Sequence, residues 1–175
     1  KIGSQESFRN VVIDHCSFSW AVDEVASVWH GWDNVTLSNN IFSEGLRESL
    51  ILPKTGGYGL LVGRWNGRVT IIGNLMAHNK ERNPLTRAAQ TVIVNNVVYN
   101  AANWDVDLQG EDGLVTNTSV IGNVFIRGAD HARDHKPVNI RVDGHLALPA
   151  QSKVYVSDNA ALERSTNDEW SVVES

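Results

Sequence analysis

Cysteine is nearly absent. The 175-residue chain holds one, Cys16, so no disulfide can close within it. Its setting, IDHCSF, predicts a buried structural thiol rather than a nucleophile. A basic excess is also lacking: 15 Lys and Arg stand against 20 Asp and Glu, for a net charge of −5. With no basic cluster, nucleic acid is excluded as the main partner. No apolar run approaches the roughly 20 residues of a membrane-spanning helix, and no membrane partner is expected. No signal peptide is visible, and Lys1 already opens into structured-looking sequence. The chain therefore reads as one domain over residues 1–175, truncated at its N-terminus, with the polar residues 163–175 as a tail or cap. No closely spaced pair of carboxylates marks a glycoside hydrolase site.

What the chain does have is a repeat. NVVIDHCSF (10–18) can be laid over NVTLSNNIF (34–42), RVTIIGNLM (68–76), QTVIVNNVV (90–98), TSVIGNVFI (118–126) and KVYVSDNAA (153–161). Each segment alternates β-branched residues with polar ones, which is the period of a strand. Asn40, Asn74, Asn96, Asn123 and Asn159 occupy one place in successive units, and Cys16 takes that place in the first. No helical period separates the strands, and the intervals are too long and irregular for a meander. The expected fold is all-β, a single-stranded parallel β-solenoid whose stacked turns share one core. The repeated asparagine is expected to take the left-handed bend and to hydrogen-bond along the stack. Residues 43–67, 101–113 and 128–149 are expected to be insertions that project from corners.

One stretch does not read as core. HNKERNPLTR (78–87) sets Arg82, Pro84 and Arg87 in an R-x-P-x-x-R pattern after an apolar run. Arginine is rarely buried unpaired. The proline removes a ladder donor and biases Asn83 toward extended backbone. Two guanidinium groups held on a surface suit an anionic ligand. Spacing alone leaves a second reading open, an exposed loop with solvated arginines.

The apolar–Asp–His signature in VVIDHCSFSW, the acidic Asp23 and R-x-P-x-x-R in RNPLTR together resemble pectate lyases. SWAVDEVASVW, NNIFSEGL, GGYGLLVG and AHNKERNP are similar, more narrowly, to the bacterial branch of the family 1 polysaccharide lyases. The resemblance covers residues 10 to about 100. It implies a right-handed parallel β-helix and calcium-assisted β-elimination of polygalacturonate (pectate). It also implies a secreted or periplasmic location, an acidic polysaccharide as partner and a monomer. Carried over by residue, it makes Arg82 the catalytic arginine, the one proposed as base, with a role as base or as stabiliser of the developing charge left open by the sequence, and Arg87 a ligand of substrate carboxylate. Arg47 falls on a substrate-binding lysine position, flanked by Glu44 and Glu48 as possible partners. Asp23 falls on a calcium-binding aspartate. Ser27 stands where a second aspartate is usual, and so counts as a minor metal contact. A further Ca2+ ligand is expected outside this chain.

Other groups have weaker cases. Asp14 and His15 read as a structural pair near the interior. Asp130, His131, Asp134 and His135 have i, i+4 histidine spacing, but Gly128 and Pro137 favour a solvated turn over a metal site. Asp105, Asp107, Glu111 and Asp112 lack the spacing of a calcium loop. Trp104, Trp65 and Tyr58 can be read as sugar platforms or as core covers. Two alternatives to the lyase remain at this level: a non-catalytic β-solenoid that binds carbohydrate or serves as a surface module, and another β-helix enzyme acting on uronans.

Overall fold

The computed structural model describes residues 7–48, 56–131, 135–164 and 166–175. The chain winds through three parallel sheets, visiting each once per turn. The first holds six strands: Arg9–Asp14, Asp33–Ser38, Arg68–Ile72, Gln90–Val94, Asn117–Ile121 and Lys153–Ser157. The second holds five short strands: Ser17–Ser19, Ile41–Ser43, Leu75–Ala77, Val97–Tyr99 and Val124–Ile126. The third holds Glu24–Val28, Tyr58–Val62, Leu85–Thr86, Val106–Leu108, Val138–Ile140 and Val173–Glu174. This is the parallel β-helix expected from the repeat, and the six repeat segments are the coils of its first two sheets.

Alternation in each strand decides which side chains go in. In Asp33–Ser38, Val35 and Leu37 are buried while Thr36 and Ser38 are partly exposed. Register then stacks like on like. Leu37, Ile71, Ile93, Val120 and Val156 form one row through the core. Phe18, Phe42, Met76, Val98 and Phe125 form another. The rings of Phe18 and Phe42 stack with centroids 5.2 Å apart.

The asparagine ladder is present, with a correction. The left-handed residue at the corner between the first and second sheets is the one before the ladder asparagine: His15, Asn39, Gly73, Asn95, Gly122 or Asp158. The ladder asparagine itself points inward, 1–2 % exposed. The amide of Asn74 donates to Leu37 O at 2.9 Å and to Asn96 Oδ1 at 2.9 Å, and Asn96 Oδ1 also accepts the Asn74 backbone N–H. The same pattern recurs at Asn40, Asn96 and Asn123. Each amide is thus fully used inside the core, where an orphaned group is costly.

Cys16 is exposed rather than buried. Its backbone N–H donates to Asn40 Oδ1 at 2.9 Å, so it keeps the ladder position. Among the described residues no coil stacks beyond it to cover the thiol. His15 is likewise exposed, while Asp14 accepts from Ser38 Oγ at 2.6 Å, Asn39 Nδ2 at 3.0 Å and His15 Nδ1 at 2.6 Å. These bonds, Ser38 foremost, hold its carboxyl down at about 2.

The supposed insertions 43–67, 101–113 and 128–149 are not only projections. Each carries a strand of the third sheet: Tyr58–Val62, Val106–Leu108 or Val138–Ile140. The sequence disguises these strands, because Leu60, Leu61 and Val62 are all buried and do not alternate. Residues 49–55 of the first interval lie outside the described residues. Residues 169–172 form a 3-10 turn that buries Val172, and Val173–Glu174 pairs with Val138–Ile140.

Asp105 is buried at the entry to the third sheet. Burial pushes its carboxyl well above the usual carboxylate range, Glu163 adds to this and Arg127 opposes it. A raised acid favours the folded state below its unfolded value of 3.8 and loses that contribution as pH rises through the folded value. Asp105→Asn should therefore raise Tm at pH 7, by about 2–4 °C for each kcal/mol relieved, and change it little near pH 4. Thermal melts at the two pH values check this, and a lower Tm at pH 7 would contradict it.

Candidate active site on the third sheet

The R-x-P-x-x-R segment lies where the chain enters and leaves one short strand, Leu85–Thr86. Arg82 comes before that strand and Arg87 directly after it. Their Cα atoms are at most about 18 Å apart. The loop carrying Arg82 is fixed from beneath. Asn79 and Asn83 are buried, and the Asn79 amide donates to Phe42 O and to Asn83 Oδ1, both at 2.9 Å. Leu60 N–H donates to Arg82 O and Asn83 N–H to Asp105 O at 2.7 Å. A Cβ on Gly59 would lie 2.5 Å from Arg82 O and 2.5 Å from Asn83 Oδ1. That close approach explains one glycine of GGYGLLVG. Arg82 itself is left-handed, φ 67°, a conformation that costs a non-glycine residue of order 1–3 kcal/mol and persists only where the surroundings impose it.

The Arg82 guanidinium lies 3.8 Å from the Tyr58 ring centroid and is paired with Glu24. The two charged side chains are 23 % and 14 % exposed. Burial lifts the Glu24 carboxyl above the usual range; the Arg82 charge opposes this and the adjacent Asp23 carboxylate adds to it. Lys80 Nζ stands 5.5 Å from the same ring. Tyr58 is thus a platform for cations here.

Arg87 is held differently. Its Nε and one Nη donate to Gln109 Oε1 at 3.1 and 2.6 Å, and the other Nη donates to Glu111 at 2.9 Å. Of its five N–H groups, two are left over. Gln109 is fixed in turn, donating to Asp107 Oδ2 at 2.6 Å. Asn139 Nδ2 donates to the other Asp107 oxygen at 2.8 Å, and Arg141 lies 3.6 Å from it. Burial raises the Asp107 carboxyl, against the lowering effects of Arg141 and of the amide bonds. Arg64 contacts Glu111 at 3.4 Å and Asp112 at 2.5 Å.

The predicted site residues are therefore placed in three groups. Asp23 and Ser27 are exposed on and beside the strand Glu24–Val28, and Asp23 is the chain neighbour of the Glu24 that grips Arg82. Arg87 shares no hydrogen bond with Arg82. Arg47 pairs with Asp130 at 3.3 Å, not with Glu44 or Glu48. Asp130 is reachable because Asn100 pins it, donating at 2.9 Å and accepting from its N–H at 2.9 Å. Among the described residues no group of three His, Cys, Asp or Glu side chains is placed to hold a metal ion. Asp105 and Asp107 are buried, while Glu111 and Asp112 are paired with arginines, so these four acids form no cation site. His131 donates to or accepts from backbone partners and His135 lies 3.3 Å from Glu174; Asp134 lies outside the described residues. Trp104 stacks under Arg141 at 4.4 Å, and Trp65 is exposed beside His30.

Sequence reasoning missed Glu24 and Gln109. A signal for Gln109 existed. The ladder interval from Asn74 to Asn96 is 22 residues, and the same step from Arg87 reaches Gln109.

Over 122 residues, 70 % of the chain, it is 35 % identical to proteins named probable pectate lyase C from Aspergillus flavus and Aspergillus oryzae. The protein of that name from Neosartorya fischeri is 33 % identical over 120 residues. The chain is similar to pectate lyases. That similarity supports a pectate-lyase-like family, in line with the β-helix. The matched region spans 27 % of the Aspergillus proteins and 26 % of the Neosartorya protein, so the chain corresponds to about a quarter of these relatives. No protein-family model matches the chain, and no solved structure matches it.

Proposed function

We propose that the protein is a polysaccharide lyase of the pectate-lyase type, in the bacterial branch of family 1, that cleaves polygalacturonate by β-elimination as a secreted or periplasmic monomer. The observation that carries the proposal is the pair of arginines on the third sheet, each locked in place on a chain similar to pectate lyases. Elimination passes the C5 proton beside a uronate carboxylate to hydroxide from the solvent, forms the C4–C5 double bond as the C4–O bond breaks, and leaves the departing oxygen to take its proton from water. Arg87, with two N–H groups left over, is suited to the carboxylate already charged in the ground state. Arg82 is suited to the charge that develops. A guanidinium stays protonated, and this one has a carboxylate and an aromatic face against it. Its role here is stabilisation of the enolate-like charge.

Calcium fits the described residues poorly. The ion takes six to eight oxygens, and Asp23 with Ser27 offers one carboxylate and one hydroxyl, while Glu24 is committed to Arg82. Calcium enters the proposal only with most of its ligands from beyond the described residues, and no step above is routed through it. The pairings of Arg82 with Glu24 and Arg87 with Glu111 favour a second reading, a carbohydrate-binding solenoid without catalysis.

The deciding experiment is an assay of the full-length protein on polygalacturonate, following the ultraviolet absorbance of the unsaturated product with calcium and with a chelator. No product at any calcium level would leave the second reading. Within the lyase reading, Glu111 competes with substrate for Arg87. Glu111→Gln keeps the shape and removes the charge. It should lower KM about two- to five-fold, the worth of a partly exposed ion pair, with kcat little changed.

A further inference from the structure

Leu61, Leu85, Asp107 and Asn139 form one row down the third sheet, each in register with the next. All four are buried. The first two are apolar and the third is an acid. Packing does not call for that acid, since a leucine would simply extend the row. Burial raises the Asp107 carboxyl. A raised acid favours the fold below its unfolded value of 3.8 and loses that contribution as pH rises through the folded value. Replacing a buried charged group by an apolar one of similar size is often neutral or stabilising. Stability therefore does not account for Asp107.

What Asp107 does hold is Gln109. Both carboxylate oxygens accept, Oδ1 from Asn139 Nδ2 at 2.8 Å and Oδ2 from Gln109 Nε2 at 2.6 Å. The second bond decides which way the Gln109 amide faces. Its NH2 is committed to a carboxylate, which when ionised only accepts. Its Oε1 is thereby turned to Arg87, where it accepts from Nε at 3.1 Å and from one Nη at 2.6 Å. Gln109 and Arg87 occupy one place on successive coils. The Gln109 N–H donates to Thr86 O and the Arg87 N–H to Val62 O, each just after a strand of the third sheet. The amide is neutral, so it grips the guanidinium without cancelling its charge. A glutamate at 109 would set a second carboxylate against Arg87, beside Glu111 on the other Nη. The bonds among the described residues leave one N–H on each Nη.

We propose that Asp107 and Gln109 are positioning residues for an acidic sugar: Asp107 orients the Gln109 amide, and Gln109 holds the Arg87 fork so that its two remaining N–H groups receive a uronate carboxylate. Neither residue touches the sugar. The proposal rests on the reading of Arg87 as a carboxylate ligand.

The test is a double-mutant cycle in the full-length protein, read by calorimetry with a galacturonate tetrasaccharide as probe. Gln109→Met fills the same space and offers Arg87 no comparable acceptor, so it should weaken the probe about tenfold, the worth of a hydrogen bond to a charged group. Made in an Arg87→Ala background, the same change should alter affinity by no more than about twofold, because no fork is left to position. Should Arg87→Ala bind too weakly to close the cycle, Arg87→Lys replaces it, since an ammonium has no planar fork to orient. Asp107→Leu should repeat the pattern with a smaller loss, about threefold, and it carries the cycle if Gln109→Met does not fold. On polygalacturonate both variants should raise KM in proportion and leave kcat nearly unchanged. Equal losses in the two backgrounds, or a fall in kcat alongside the rise in KM, mark a merely structural role and overturn the proposal. So does unaltered affinity in Gln109→Met, or a wild type that does not bind the probe. The two readings fail separately. The expected cycle without any unsaturated product sinks the lyase and leaves the positioning role. Product formation with equal losses in the two backgrounds sinks the positioning role and leaves the lyase.

Discussion

Arg82→Lys in the full-length protein should lower kcat on polygalacturonate by roughly 10²- to 10³-fold, the usual cost of removing a preorganised donor from developing charge, while KM changes little. Lysine keeps the charge but not the fork. Its ammonium cannot lie flat on Tyr58 and face Glu24 at once, as the guanidinium does. An interaction made only in the transition state shows in kcat. Tyr58→Leu would share part of the loss if the ring holds Arg82 in position, and Glu24→Gln would too. Arg87→Ala should behave otherwise and raise KM, because it meets a carboxylate already charged in the ground state. Steady-state kinetics at fixed calcium separates these cases. Equal, small losses in the Arg82 and Arg87 variants would favour the non-catalytic solenoid.

How much could be read from the sequence depends on how local the cause is. The first two sheets were legible because their strands alternate and their corners repeat. Thr36 between Val35 and Leu37, followed by Asn39-Asn40, is a signal contained in a few residues. The third sheet was not legible. Its strands can be as short as two residues, as at Leu85–Thr86, and its polar outer residues sit in register only after the chain has gone once round. The corner chemistry was half legible. Asparagine was rightly seen as the repeating element, but both members of Asn39-Asn40 and of Asn95-Asn96 are asparagines, and only coordinates tell the left-handed one from the inward one.

The same limit applies to the site. The arginines announced themselves through R-x-P-x-x-R. Their partners did not, because Glu24 is 58 residues from Arg82 and Gln109 is 22 from Arg87. Arg47 shows the limit most clearly. Two nearby glutamates look like its partners in sequence, yet its partner is Asp130, 83 residues away and brought close by Asn100. The exposed Cys16 teaches a related point. An apolar neighbourhood in sequence means burial only where another coil lies on top.

The largest expected stability effect belongs to the middle of the asparagine ladder. Asn96 is 1 % exposed. Its Oδ1 accepts the backbone N–H and the amide of Asn74, both at 2.9 Å. Its own amide donates to Ile71 O at 2.9 Å and to Asn123 Oδ1 at 3.0 Å. Asn96→Ala removes all four bonds and keeps the backbone N–H to Asn123. The groups left behind on Asn74 and Ile71 belong to buried backbone and amide. An orphaned buried group costs about 1–3 kcal/mol, so with partial relaxation the loss should reach about 3–5 kcal/mol, the upper range for a single substitution. Asn96→Asp should cost at least as much. It keeps the acceptor but gives up the amide's donors and buries a charge unless it takes up a proton. The contrast is Asn39→Ala, one residue before a ladder position and left-handed at φ 53°. That change removes a bond to Asp14 at 3.0 Å at an exposed corner and adds modest backbone strain, which together should cost about 1–2 kcal/mol. Urea unfolding of the three variants and the wild type orders them. If Asn96→Ala loses no more than Asn39→Ala, the ladder is incidental to the stack, and the apolar rows alone hold the coils in register.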